Sequence, residues 1–210
     1  IISKSKIRIW SYGPYQSNFY RNMLKFGNVM STSASSVKRK FLKDNKITFN
    51  EKKEFITVED YDFFLNLASK KANFFFISVP LGFHYFHKES ASSNKKKHIN
   101  SSYKVLKHHS YNIQKFSLNK KKFYLSCKSN LDFKDDLIDI INKKKVMNVK
   151  IIKILKTFFK NPNEKIYILF LLIRKKVINS LKFYKFTKKN KSLASRKNDL
   201  HLLPHFYQNL

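Results

Sequence analysis

The first part of the chain alternates short apolar runs with polar breaks, and the later part shifts to long helical periods. A turn at Gly13-Pro14 precedes a helix predicted over residues 16–25. Val29–Lys38, rich in Ser and Thr with a β-branched end, reads as a strand, and a short helix follows from Arg39. Phe55-Ile56 leads into Thr57-Val58-Glu59-Asp60, where a Thr is followed three residues later by an acid. That is close to a capping box, with Asp in place of the usual Glu or Gln. The helix it opens carries Phe63, Phe64, Leu67 and Ala68 at helical spacing. It is expected to end near Lys70-Lys71, cations suited to a helix C-terminus. Phe74–Val79 is a short aromatic, β-rich run closed by Pro80, hence a strand. Leu81–His87 extends the sheet edge or returns as a hairpin.

Lys88 to Asn100 is polar and rich in Ser and Lys, and the domain boundary is placed there. Beyond it the pattern turns helical. Residues 147–160 set Val149, Ile152, Leu155 and Phe159 on one side and Lys150, Lys153, Lys156 and Lys160 on another. Asn161-Pro162-Asn163 interrupts the pattern, and a second basic, apolar helix is predicted over 164–184. The tail after Thr187 is expected to be disordered. The longest apolar run, Ile166 to Ile173, has eight residues. A spanning helix needs about 20, so none is predicted. No internal repeat is present.

Length bounds the answer to one compact domain or a domain with an appended subdomain, since there are 210 residues. With 42% hydrophobic and 16% aromatic residues, the chain can build a core, which excludes wholesale disorder. The three glycines stand in no phosphate-cradling pattern, which excludes a P-loop and a dinucleotide fingerprint. Charge changes the picture more. The net charge of +31 is uneven: residues 1–94 carry 15 Lys/Arg against 7 Asp/Glu, and residues 95–210 carry 29 against 6. The excess in the second half points to an anionic partner there: phospholipid headgroups, nucleic acid or a phosphorylated substrate. The codon bias of an AT-rich genome produces the same surplus of Lys, Asn, Ile and Phe and competes as an explanation. Cys127 is the sole cysteine, so an internal disulfide and a cysteine metal cluster are excluded and a reducing cytoplasm fits. No signal peptide is visible, and a start at Ile1 rather than Met reads as truncated.

The chemistry-bearing stretch runs from Gly27 to Asn94. Glu59-Asp60-Tyr61-Asp62 puts three carboxylates in the first turn of a helix, where free backbone N–H groups and the helix dipole favour negative charge. On its own this is an ordinary acidic helix start. The order of elements around it is more specific: Gly27-Asn28-Val29-Met30-Ser31-Thr32-Ser33, then Val37-Lys38-Arg39-Lys40-Phe41-Leu42. Next come Val58-Glu59-Asp60-Tyr61-Asp62-Phe63-Phe64-Leu65, the Phe74–Val79 strand, Pro80-Leu81-Gly82-Phe83-His84-Tyr85-Phe86-His87 and Ser90-Ala91-Ser92. This series resembles the acceptor-side half of family 2 glycosyltransferases of the GT-A fold, over roughly the first 95 residues.

The resemblance implies an α/β fold: a partial GT-A-type, Rossmann-like catalytic core over residues 1–95, lacking its N-terminal nucleotide-binding half. An α-helical basic region over 96–187 and a tail over 188–210 would come after it. It implies a fragment of an inverting enzyme that moves a sugar from a nucleotide-sugar donor to a glycan or lipid-linked acceptor in cell-envelope polysaccharide synthesis. The fragment alone is expected to be inactive. Asp60 matches the catalytic base that takes the acceptor hydroxyl's proton, and Glu59 would position the acceptor or tune its neighbour. Asp62 is expected to be structural. Thr32, Ser33 and Tyr85 would contact acceptor or donor, Tyr85 standing where relatives often carry Arg. His87 matches an auxiliary ligand to Mn²⁺ or Mg²⁺, whose main ligands, an Asp-x-Asp, are expected in the missing half. Asp60-Tyr61-Asp62 has that spelling but belongs to the acidic helix. His84 and His87 would face opposite sides of a strand. His108-His109 and the pair His201 and His205 lack supporting ligands and read as surface residues.

Two further readings compete for the basic second half. Residues 147–184 could form an amphipathic hairpin on the inner face of the cytoplasmic membrane, lysines toward anionic headgroups. Or they could pack their apolar stripe on the core and leave a solvated lysine face. Outside the glycosyltransferase class, the charge and the many Tyr and Phe suit a nucleic-acid-binding protein. Against it, no nucleic-acid motif is present and the aromatics sit at core spacings. A non-catalytic remnant of a split gene is the remaining alternative.

Overall fold

The computed structural model describes residues 18–77, 94–113, 119–141 and 148–173. The chain divides into two compact units, Tyr12–Leu169, and Ile1–Ser11 together with Phe170–Leu210. Of the second unit only residues 170–173 are described, and they are helical. The helices α1 to α6 all belong to the first unit.

Helix α1, Phe19–Phe26, buries Phe19, Met23 and Leu24, positions that fall on one side of a helix. It stops at Gly27, whose φ of 87° is a left-handed setting that favours glycine. The Gly27 N–H donates to Met23 O at 2.9 Å, and Lys134 Nζ donates to Phe26 O at 2.9 Å. Helix α2, Arg39–Asp44, is short and mostly exposed.

Helix α3, Glu59–Ser69, is the centre of the unit. It buries Tyr61, Asp62, Phe63, Phe64, Leu65 and Leu67, and a helix hidden on most of its circumference belongs inside a core. Tyr61 reaches across to α1, its hydroxyl donating to Met23 O at 2.7 Å. The predicted capping box at its start does not form: Val58 occupies the cap position without a side-chain bond. Asp60 Oδ1 accepts instead from the adjacent Tyr61 N–H at 2.7 Å. At the other end Lys71 N–H bonds Ala68 O and Ala72 N–H bonds Leu67 O, both at 3.1 Å. With Lys71 at φ 59°, this is a Schellman cap built on a lysine, at the predicted stop.

Helix α4, Lys95–His108, is capped by Asn94, whose side chain accepts from Lys97 N at 3.0 Å. It passes into a π-helical turn, His109–Ile113. Its first turn lies inside the polar stretch, residues 88–100, where the domain boundary is placed from the sequence. Helix α5, Lys120–Ile141, is capped by Asn119 through Lys122 N and lays Phe123 and Cys127 into the core. Helix α6, Asn148–Lys160, comes next, and residues 162–173 are helical after a break at Asn161, where the Pro162 interruption was expected. α1 packs on α3 and α5, α4 on α3 and α5, and α5 on α6. One apolar cluster unites Phe19, Met23, Leu24, Phe55, Tyr61, Phe64, Leu65, Leu106 and Phe123.

The expected α/β architecture is therefore corrected: among the described residues every regular element is helical and there is no strand. In the Val29–Lys38 stretch, hydroxyl and amide side chains bond nearby backbone. Met30 N–H donates to Asn28 Oδ1 at 2.9 Å and Ser35 Oγ to Ser31 O at 2.6 Å, around a single 3₁₀ turn at Thr32–Ala34. Such local bonds compete with a ladder. Residues 72–77 keep a strand's alternation of exposure without pairing to a strand among the described residues. The expected elements over 78–93 and 174–187, and the tail, lie outside the described residues.

A Cβ at Gly27 would stand 2.9 Å from Leu131 Cδ2 of α5. Gly27→Ala is expected to cost about 2 kcal/mol or more, from the left-handed backbone and the overpacking together. Lys71→Gly is expected to stabilise by about 0.5–1 kcal/mol, since the cap already holds the conformation glycine prefers. Denaturant melts of both variants check the pair, and equal shifts of the same sign would contradict the backbone account.

Candidate functional site

The start of α3 brings together some of the residues singled out from the sequence. Asp60 is partly buried while Glu59 beside it is exposed. Asn28 Nδ2 donates to Asp60 Oδ2 at 3.2 Å, tying the helix to the loop that carries Thr32 and Ser33, both exposed in the 3₁₀ turn. Burial holds the Asp60 carboxyl above its ordinary pKa, and the Glu59 charge adds to this. The Tyr61 N–H and the neighbouring His98 pull the other way. Thr57, with φ 80°, leaves its buried hydroxyl without a hydrogen bond, as His98 does its Nδ1. The cluster can hold a proton on Asp60 at higher pH than a free carboxyl would. Tyr85 and His87 lie outside the described residues, and with them the expected Mn²⁺ or Mg²⁺ site. Among the described residues no three His, Cys, Asp or Glu side chains converge on a place for a metal.

A second polar group was not foreseen. His109, expected at the surface, is fully buried and its Nε2 lies 2.9 Å from Asp62 Oδ1, itself 1% exposed. Tyr20 OH is 3.1 Å from the other ring nitrogen, Nδ1. These partners suit a neutral imidazole that donates from Nε2 to the carboxylate and accepts from the phenol at Nδ1. Asp62 Oδ2 takes Asn66 Nδ2 at 3.1 Å and Asn50 Nδ2 at 3.5 Å, so both oxygens are engaged. Asp62 and Asn66 line an open groove of about 760 Å³ with Asn45, Lys46, Asn50 and Lys70. Asp62 is structural, as expected, joining α3 to α1 and to the π turn. The two partners stand 47 residues apart, and nothing local in the sequence marks them as a pair.

The third place of interest is α6. It meets α5 through Phe158, whose ring is 6.4 Å from Phe133, and through Lys153, 2.9 Å from Asp136 Oδ2. Ile154 and Phe158 are half-buried. Ile152, Leu155 and Phe159, the stripe picked out from the sequence, instead face outward and are 52, 50 and 74% exposed. At about 100° per residue, the apolar face of α6 is wider than its contact with α5, and these three overhang it. Lys156 and Lys160 border the overhang, both exposed and without an acidic partner among the described residues. The side chains of Val149 and Lys150 lie outside the described part of α6.

The acids nearby are already engaged. Asp132 bonds Tyr103, Asp135 and Asp139 bond Lys95, Asp136 bonds Lys153 and Glu164 bonds Lys25. Glu164 also accepts from Ser126 at 2.8 Å and Asn130 at 2.9 Å. Burial works to raise its pKa, but these bonds hold it below the ordinary carboxylate value. Lys165, beside it, is fully buried on Asn130 and Phe133, and desolvation brings its ammonium down to about 8. Glu164 and Lys165 thus anchor the segment just after α6 to α5, leaving the α6 overhang in a defined place.

No protein-family model, no curated protein and no solved structure matches this chain. With that result, and no sheet among the described residues, the resemblance to a family 2-like glycosyltransferase is overturned. The inferred GT-A core, the inverting sugar transfer and the role of a transferase fragment in envelope polysaccharide synthesis fall with it; the base role of Asp60 rested on that resemblance alone. The ordered motifs were real as sequence, but the resemblance required them to lie on a sheet, and the described residues fold as packed helices.

Burial lowers the pKa of His109 despite the opposing pull of Asp62. A folded pKa below the unfolded value of 6.5 means that stability is full above that pH and is lost as pH falls through and below it. Thermal melts between pH 7.5 and 5.5 are expected to show Tm dropping by a few degrees. His109→Gln keeps a donor for Asp62 but does not titrate. It should flatten that part of the profile, and an unchanged slope would assign the effect to other groups.

Proposed function

We propose that this chain is a peripheral membrane-surface protein that docks on anionic lipid through α6. The observation that carries the proposal is the outward-facing stripe Ile152, Leu155 and Phe159 bordered by Lys156 and Lys160. An apolar stripe flanked by cations lies in the plane of a bilayer interface, side chains among the upper acyl chains and ammonium groups among phosphates. No described helix is long and apolar enough to cross a membrane, so the mode proposed is lying on the surface. The anionic cytoplasmic leaflet is the surface it suits.

Magnitudes favour a reversible attachment. Three side chains that are already a quarter to a half covered would gain roughly 1 kcal/mol each on full burial, and each of the two lysines about 1 kcal/mol near an anionic surface. A sum on the order of 5 kcal/mol corresponds to a Kd in the range of about 0.2 mM, a contact that comes and goes. The remaining excess of Lys and Arg over acids in the second half would act at longer range, drawing the protein toward negative surfaces at low salt.

The test is co-sedimentation with vesicles of phosphatidylcholine, with and without phosphatidylglycerol. Binding is expected only to the anionic vesicles and to weaken with salt. Phe159→Ser should reduce it about fivefold, one side chain's burial at about 1 kcal/mol, and Lys156→Gln with Lys160→Gln about thirtyfold, two cations at about 1 kcal/mol each. Binding that persists in Phe159→Ser while an RNA mobility shift responds to the lysine changes would replace this reading with a nucleic-acid one.

A further inference from the structure

Residues 72–77, Ala-Asn-Phe-Phe-Phe-Ile, leave the Schellman cap of α3 and carry no charge, no Gly and no Pro. Their exposure alternates with period two, the pattern of an extended chain with one side against the core. Phe74 and Phe76 turn inward onto Phe19 of α1, with ring centroids 4.7 and 6.0 Å apart. Phe75 and Ile77 turn outward and are 90 and 69% exposed. The backbone groups of Asn73, Phe75 and Ile77 enter no hydrogen bond among the described residues. In an extended chain these three alternate residues present their N–H and C=O groups along one edge.

Aromatic and β-branched residues in an extended run, with an unused backbone edge, make a template for strand pairing. We propose that residues 73–77 are a docking edge that a strand from another polypeptide completes. Backbone bonds to Asn73, Phe75 and Ile77 would supply the register, and apolar side chains at alternate positions of the partner would cover Phe75 and Ile77. Charge selects the partner's chemistry. Lys70 and Lys71 stand exposed where the edge begins, without an acidic partner among the described residues. The chain as a whole carries +31. An apolar strand with acidic residues at the end that meets Lys70-Lys71 fits this edge, and a second copy of so basic a chain is opposed by like charge.

The probe is a synthetic strand peptide of alternating Val and Thr with glutamates at its ends, used with the whole chain. Its lysine-ended counterpart and a copy N-methylated on its bonding edge serve as comparisons. Amide hydrogen exchange at Phe75 and Ile77 is expected to slow by about tenfold with the acidic peptide, to recover with salt and to stay unchanged with the N-methylated one. Phe75→Pro removes a donor at a 90% exposed position. It should abolish the protection while circular dichroism shows the helices intact. Absence of protection in the parent chain overturns the proposal, as does equal protection by the lysine-ended peptide. Protection that grows with protein concentration alone would assign the edge to a second copy and overturn the acidic partner.

Discussion

The contact between Asp62 and His109 places a carboxylate and an imidazole inside a largely apolar core, and the packing of three elements depends on it. A buried carboxylate without partners is costly enough to change its protonation or the fold around it. Here every oxygen of Asp62 has a donor, from His109, Asn66 or Asn50. Those donors come from the π turn, from α3 itself and from the 45–51 loop, while Tyr20 closes the chain of bonds on the far side of the imidazole. Once the pair is made, α3 can rotate very little, and Tyr61, Phe64 and Leu65 are held facing α1 and α4. The π turn after α4 also finds a physical reason, because it delivers His109 to the carboxylate.

Around this centre the molecule uses its few acids to organise many lysines. α5 carries Asp132, Asp135, Asp136 and Asp139 at helical spacing, and Glu164 lies beyond α6. All are engaged by Lys or Tyr side chains from other elements. Partly buried pairs of this kind are weak evidence of added stability singly, but they decide which lysines are neutralised. Lys95, Lys153 and Lys25 are spent inside the fold, and Lys156 and Lys160 are left facing out beside bare Ile152, Leu155 and Phe159. A basic composition becomes a directed surface through this selection. Cys127 illustrates the same inner environment: burial pushes its thiol up to about 12, which leaves it a packing residue rather than a nucleophile.

Much of the helical content was legible. The spacing of Phe63, Phe64, Leu67 and Ala68, the stop at Lys70-Lys71, the short helix at Arg39 and the helix to Lys160 all come from local periodicity and end chemistry. These are decided within a few residues, so the sequence carries them. The expected strands did not form among the described residues, because a strand needs a partner elsewhere and local pattern does not supply one. Phe74 to Ile77 has every local mark of one, and Val29 to Lys38 has its composition. Hydroxyl and amide bonds to nearby backbone took the second, and the first pairs with no strand among the described residues.

The sequence by itself determined the helical periods, the absence of an internal disulfide, the concentration of positive charge in the second half and the two-sided character of α6. Tertiary structure alone decided which side of α6 is free: Ile154 and Phe158 meet α5, and the stripe for which both inward packing and a membrane-facing role were open overhangs it. It alone turned a histidine expected at the surface into the partner of Asp62, 47 residues away. The physical reason is common to both. Periodicity records that a face is apolar, but the width of the neighbouring element decides how much of that face is covered. A buried ion or imidazole is tolerated only where distant residues converge to satisfy it, and no local pattern encodes that convergence.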